Sequence, residues 1–162
     1  MLHNLKNRKK SEGFTIIEVL IVLAIAGLIL LVVFLAVPAL QRNSRNTQRK
    51  SDVSHLLGLI NEYTANNSGT VPTVIVNSAA PASNPGATTL YLGNEKFSIL
   101  TMPPTSVSAT APTATPAIDT ILIVTSASCN GNAVVTGASS RSFVAYYAVE
   151  GSSSPTPICS QG

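Results

Sequence analysis

The sequence lacks tryptophan and is poor in charge, and each shortage removes a class of explanation. Only 10% of its residues are Asp, Glu, Lys or Arg, against about a quarter in an average soluble domain, which argues against an ordinary intracellular enzyme. Past the start of the chain, His55 is the lone histidine, and Asp52, Glu62, Glu95, Asp119 and Glu150 are scattered. No His/Cys/Glu set has metal-ligand spacing, no glycine-rich loop is shaped for phosphate, and no nucleophile has a base beside it. The sequence therefore offers no catalytic residue, no metal site and no cofactor site, and His55 reads as a solvated helix residue.

Net charge is also smaller than it looks. The formal +3 comes from Lys6, Arg8, Lys9 and Lys10, with Glu12 the one acid among them. Setting aside residues 1–13 removes four of ten bases and one of seven acids, leaving six of each. A balance this even gives no field that argues for nucleic acid. There are two cysteines, Cys129 and Cys159. In an exported chain two thiols allow one intrachain pairing, and closing that loop would contribute about 3.5 kcal/mol in the chain-entropy model.

What is abundant is apolar sequence near the start. From Val19 to Val37 nineteen residues pass without a charge, about 28 Å of helix, close to the thickness of a bilayer's hydrocarbon. The basic stretch Lys6 to Lys10 should hold the N-terminus in the cytoplasm and place everything after Leu40 outside, a contrast that Arg42 and Arg45 weaken without cancelling. A plain single-pass anchor and a secretory signal cut near Ala39 are the simpler readings. Secretory signals have apolar regions of about 7 to 15 residues, shorter than this one. Neither reading needs Glu18, an acid inside the apolar stretch. A carboxylate in lipid costs on the order of 2.5 to 3.5 kcal/mol at mid-membrane, less near an end, and calls for a cationic partner. A cut between Gly13 and Phe14 would supply one, because the new amine of Phe14 lies about one helical turn from Glu18.

The segment Lys10-Ser11-Glu12-Gly13-Phe14-Thr15-Ile16-Ile17-Glu18-Val19-Leu20 resembles the class III signal of type IV prepilins. The resemblance is strong over roughly residues 6–40 and architectural beyond. It implies that a prepilin peptidase cuts after Gly13 and methylates Phe14, and that Glu18 neutralises the N-terminal amine of an adjacent subunit during assembly. The implied partners are further copies of the chain in a helical filament, the peptidase, the inner-membrane assembly platform and, before assembly, the membrane. The implied destination is an extracellular pilus supporting adhesion, motility or DNA uptake. Many family members have a helix-bending proline about one turn earlier than Pro38, so Gly27 and Pro38 are the candidate sites of bending here; Pro38 removes a backbone donor and clashes with the preceding turn.

The fold class expected is α+β, the type IV pilin fold: a long helix, apolar in its first half and amphipathic in its second, packed on a small antiparallel β-sheet head. The boundaries read as a leader over 1–13, a transmembrane or filament-core helix over 14–40, its amphipathic continuation over 41–66, a connecting loop over 67–87 and the head over 88–162. Val53, Leu56, Leu57, Ile60 and Tyr63 fall at helical spacing, with Asp52, Ser54, His55, Asn61 and Glu62 on other faces. Asn66-Asn67-Ser68-Gly69 ends the helix and Pro72 forbids its resumption. Strands are expected at Thr88 to Leu92, Phe97 to Met102, Thr120 to Thr125 and Ser142 to Val149, the last two paired antiparallel. Val71 to Gly86 reads as loop, and the proline-rich interval from Pro103 to Pro116 as an extended surface loop unfit for a central strand. A Cys129–Cys159 bond would then pin the C-terminal tail to the sheet.

Three readings stay open at this level. A minor pilin or a pseudopilin of a secretion or competence system shares the N-terminus. The major pseudopilins typically hold calcium in the head, which needs clustered carboxylates, and residues 100–162 contain only Asp119 and Glu150. A membrane-anchored or secreted binding protein that never polymerises is the alternative of another class. The cluster Arg42, Arg45, Arg49 and Lys50 lacks the interleaved aromatics of a nucleic-acid surface and reads as solubility and subunit contact. Asn66-Asn67-Ser68 fits a glycosylation sequon, a match short enough to arise by chance.

Overall fold

Thr15 starts the first element. Its Oγ1 accepts the Glu18 N–H at 3.3 Å while the Glu18 carboxylate accepts the Thr15 N–H at 2.8 Å, a reciprocal capping box that satisfies two donors of the first turn. From there a single helix, α1, runs over Ile16–Asn66 and passes through Pro38 without a break in its assignment. The computed structural model describes residues 13–78, 88–93, 95–98 and 107–162. The leader up to residue 12, the proline-bearing stretch 79–87, and residues 99–106, on which part of the expected third strand falls, lie outside the described residues. The chain divides into two units, residues 1–41 and 42–162.

In the first unit every described residue is exposed. An 18-residue window there has a mean hydropathy of 3.4 with none of it buried, so α1 is long and apolar enough to cross a membrane.

In the second unit α1 carries a buried stripe at Arg49, Asp52, Val53, Leu56, Leu57 and Ile60, the three-and-four spacing of one helical face. The helix ends when Ser68 and Gly69 turn to φ of 57° and 84°. Gly69 N–H then reaches the Thr64 carbonyl at 2.8 Å and Asn67 N–H the Tyr63 carbonyl at 3.0 Å. These bonds satisfy carbonyls that the last turn leaves open.

Among the described residues eight strands follow: β1 (Val74–Val76), β2 (Thr89–Tyr91), β3 (Val107–Ser108), β4 (Ile121–Thr125), β5 (Ala127–Asn130), β6 (Ala133–Thr136), β7 (Phe143–Val149) and β8 (Thr156–Gln161). The main sheet has the order β3-β4-β7-β8. β4 and β7 pair antiparallel as expected, with Ile123 opposite Ala145, and β8 adds antiparallel to β7. The whole of β7 is buried because both of its faces are covered. Phe143, Ala145, Tyr147 and Val149 join Ile121 and Ile123 in the core with Val53, Leu56, Leu57 and Ile60 of α1. Val144 on the opposite face packs with Val124 and Ala127, against Cys129, Val134 and Cys159. The near-continuous apolar sequence of β7 is what a strand buried on two sides requires.

The α+β layout is therefore present, but the strands form three small sheets and not one antiparallel sheet. β1 and β2 pair in parallel, so part of the stretch read as loop from Val71 to Gly86 is strand. β3 pairs in parallel with β4 at the edge of the main sheet, the position that a proline-rich segment can occupy. The hairpin β5–β6 and strand β8 were not expected; β8 carries Pro157 and is tolerated as an edge strand. Phe97 and Ser98, the described part of the strand expected over Phe97 to Met102, are not in a strand. Asp52, expected on an outer helix face, is buried and accepts the Ser98 N–H at 3.0 Å.

Candidate functional site

The N-terminal site is built on the first turn of α1. Gly13 and Phe14 precede the helix in an irregular, exposed stretch, and Phe14 is 88% exposed. A Cβ added at Gly13 would meet nothing within 4 Å. Beyond its part in the capping box, the Glu18 carboxylate accepts the Thr15 hydroxyl at 2.7 Å. Glu18 therefore has a local, neutral partner and, among the described residues, no cation within its own protomer. Phe14, Glu18, Val19, Val22 and Leu23 line one shallow hollow, and the apolar side chains from Ile16 to Leu40 project outward around it. Gly27 lies midway along this surface with open space about it, and Pro38 near its end. An exposed apolar cylinder of this size is out of place in water and marks a surface meant for lipid or protein.

The comparisons agree with that geometry. Residues 8–34 match the family model of the prokaryotic N-terminal methylation motif. This is the N-terminus of a type IV pilin-like protein. The match covers Gly13, Phe14, Glu18 and Gly27 and stops before Pro38. No curated protein and no solved structure matches the chain. A pilin-like precursor with an apolar helix of this kind is membrane-anchored, and its class is structural.

The head of the pilin-like chain holds its charges in a second constellation. Arg45 grips Glu150 with both prongs, Nε to Oε1 at 2.8 Å and Nη2 to Oε2 at 2.5 Å. Arg49, only 3% exposed, reaches Glu150 at 2.8 Å and Asp119 at 2.7 Å. Asn46 completes the set: its Oδ1 accepts from Arg49 and from the Glu150 N–H, and its Nδ2 donates to the Glu150 carbonyl. Arg42 donates to the Gly151 carbonyl at 3.3 Å. The bidentate Arg45 contact, helped by Arg49 and opposed by burial, lowers the Glu150 carboxyl from its ordinary 4.5 to about 2. The same contact raises Arg45.

Three of the four bases read from sequence as a surface cluster are thus committed to the end of β7 and the Asp119 turn. Lys50 is exposed. Asp119 and Glu150, far apart in sequence, are brought together through Arg49, a role for which spacing gave no signal. His55 is exposed on α1 and meets the Phe97 ring at 5.9 Å between centroids. Cys129 of β5 is bonded to Cys159 of β8, tying the hairpin to the main sheet. Among the described residues no group of three or more His, Cys, Asp or Glu is placed to hold a metal ion.

Proposed function

We propose that this chain is the structural subunit of an extracellular type IV pilus. It is cut between Gly13 and Phe14 by a prepilin peptidase, methylated on the Phe14 nitrogen, and polymerised through α1 with the inner-membrane platform as assembler. The observation that carries the reading is Glu18: an acid whose polar partners, among the described residues, are a hydroxyl and a backbone N–H, at the head of an unbroken exposed apolar surface. In a filament the Phe14 amine of a neighbour supplies the missing cation. A misregistered subunit would leave an amine or an acid alone in a dry core, at several kcal/mol, so the pair would set the axial register.

A true pilin is favoured over a calcium-holding pseudopilin by the head. Asp119 and Glu150, the acids of residues 100–162, are already paired with Arg45 and Arg49. No comparable observation favours an anchored binding protein that stays monomeric, or a DNA-binding role for the bases around Arg45.

N-terminal mass spectrometry of material sheared from cells separates these readings. The proposal expects a first residue Phe14 carrying one methyl group. An intact leader, or a first residue near Ala39, would refute it.

A further inference from the structure

On the head, beyond the end of α1, lies a cavity of about 390 Å³, within the size range of small-molecule sites. Most of its wall residues bear hydroxyls, namely Ser68, Thr70 and Thr73 from the stretch after the helix, Thr125 from the end of β4, Ser126 just beyond it and Ser140 from the loop before β7, with Val71 apolar among them. Arg141 closes it. The Arg141 side chain lies flat over Gly69, where a Cβ would fall 2.5 Å from Nε and 2.7 Å from Cζ. Among the described residues no carboxylate is paired with Arg141, whereas Arg45 and Arg49 both have acidic partners.

The rim is held in place before any ligand arrives. The Gly69 N–H is bonded into the helix cap, the Ser126 N–H donates to the Ser142 carbonyl at 2.8 Å, and the Ser126 carbonyl accepts from Gly137 and Ala138. A site whose backbone is already fixed loses little entropy on binding. One planar guanidinium suits one carboxylate, bidentate and charge-assisted. Hydroxyls that both donate and accept suit a ligand that is itself polyhydroxylated. A nucleic acid would call for several cations and aromatic stacking surfaces, and bare phosphate would leave most of the cavity unfilled.

We infer that this cavity is a binding site for a monoanionic sugar, a uronic-acid type residue of an acidic polysaccharide, with Arg141 on its carboxylate and the surrounding hydroxyls on its ring. The assignment stands on the head alone and holds or fails whether or not the chain polymerises.

The test is titration of the full-length chain in detergent micelles with sodium glucuronate, glucose or sodium phosphate, followed by the amide resonances of Gly69, Ser126 and Arg141. Glucuronate should shift all three with millimolar affinity and glucose should not. Arg141→Gln should weaken glucuronate binding tenfold or more at unchanged melting temperature, and Arg141→Lys should recover only part of that loss. Shifts with phosphate equal to those with glucuronate would reduce the cavity to a bare oxyanion site and overturn the sugar assignment. So would the absence of any response to glucuronate, or a response that Arg141→Gln leaves undiminished.

Discussion

Arg49 sits on the apolar stripe of α1, one turn before Val53, with Glu150, Asp119 and Asn46 around its buried guanidinium. Removing one of those partners is costly in a way that removing a surface charge is not, since Arg49 itself remains buried. Glu150→Gln should destabilise the head by about 2 kcal/mol, the scale of a buried hydrogen bond to a charged group, read as a lower melting temperature. The pH dependence follows from the same contact. With its folded value lowered to about 2 from 4.5, Glu150 contributes stability that is complete above pH 4.5 and is lost as pH falls toward 2. In Glu150→Gln the melting temperature should vary less across that window, and an unchanged acid limb would show that the contact adds no stability. Gly58 makes the opposite case. It is exposed in the middle of α1, and a Cβ added there would meet nothing within 4 Å, so Gly58→Ala should stabilise the monomer by about 0.5 to 1 kcal/mol. Arg49 and Asp52 were the residues hardest to place from sequence. Their positions match the stripe of Val53, Leu56 and Ile60, but a polar residue on a core stripe reads as surface until its distant partners are known.

The elements were legible in proportion to how completely their own residues offset the cost of ordering. α1, β4 and β7 bury or expose long apolar runs, and each run announces its period without help from elsewhere. The strands that escaped notice borrow their order from neighbours. β1 has three residues and is held in parallel, across a long connection, by β2, the strand expected over Thr88 to Leu92. β8 contains Pro157 and is polar, and it forms because β7 offers an edge. The hairpin did carry a signal: Gly131, with φ of 60°, and Asn132 link Asn130 to Ala133, and a glycine first in a two-residue connection is a hairpin turn. It was masked by the shortness of its strands, Ala-Ser-Cys-Asn and Ala-Val-Val-Thr, which show little alternation. The Cys129–Cys159 bond is what fastens this weakly apolar hairpin over Val144. Replacing both cysteines with serine should therefore cost about 3.5 kcal/mol. Amide exchange should rise first in β5, β6 and β8, while β4 and the α1 stripe stay protected until global unfolding. Uniform loss of protection would show that the bond stabilises the head only as a whole.

At the scale of the molecule, the two units answer to different solvents. The head, residues 42–162, has its own core, its own charge network and its own disulfide, while no side chain from Ile16 to Leu40 is buried. The apolar effect that folds the head is therefore still unused along the first unit, where at about 25 cal/mol per Å² it is available for lipid or for another protein surface. Two consequences can be separated by experiment. A fragment of residues 42–162 should be a soluble monomer with one cooperative melting transition; sedimentation showing a polymer, or a melt with no transition, would mean that the head depends on the first unit. The full chain with Glu18→Val should enter the membrane as well as the parent does, because a charge has been removed from its apolar surface. It should nevertheless give no regular filaments by electron microscopy, because apolar attraction has no preferred register and the acid that would impose one is gone. Filaments of normal spacing from that variant would leave apolar burial as sufficient for assembly and would refute the role proposed for Glu18.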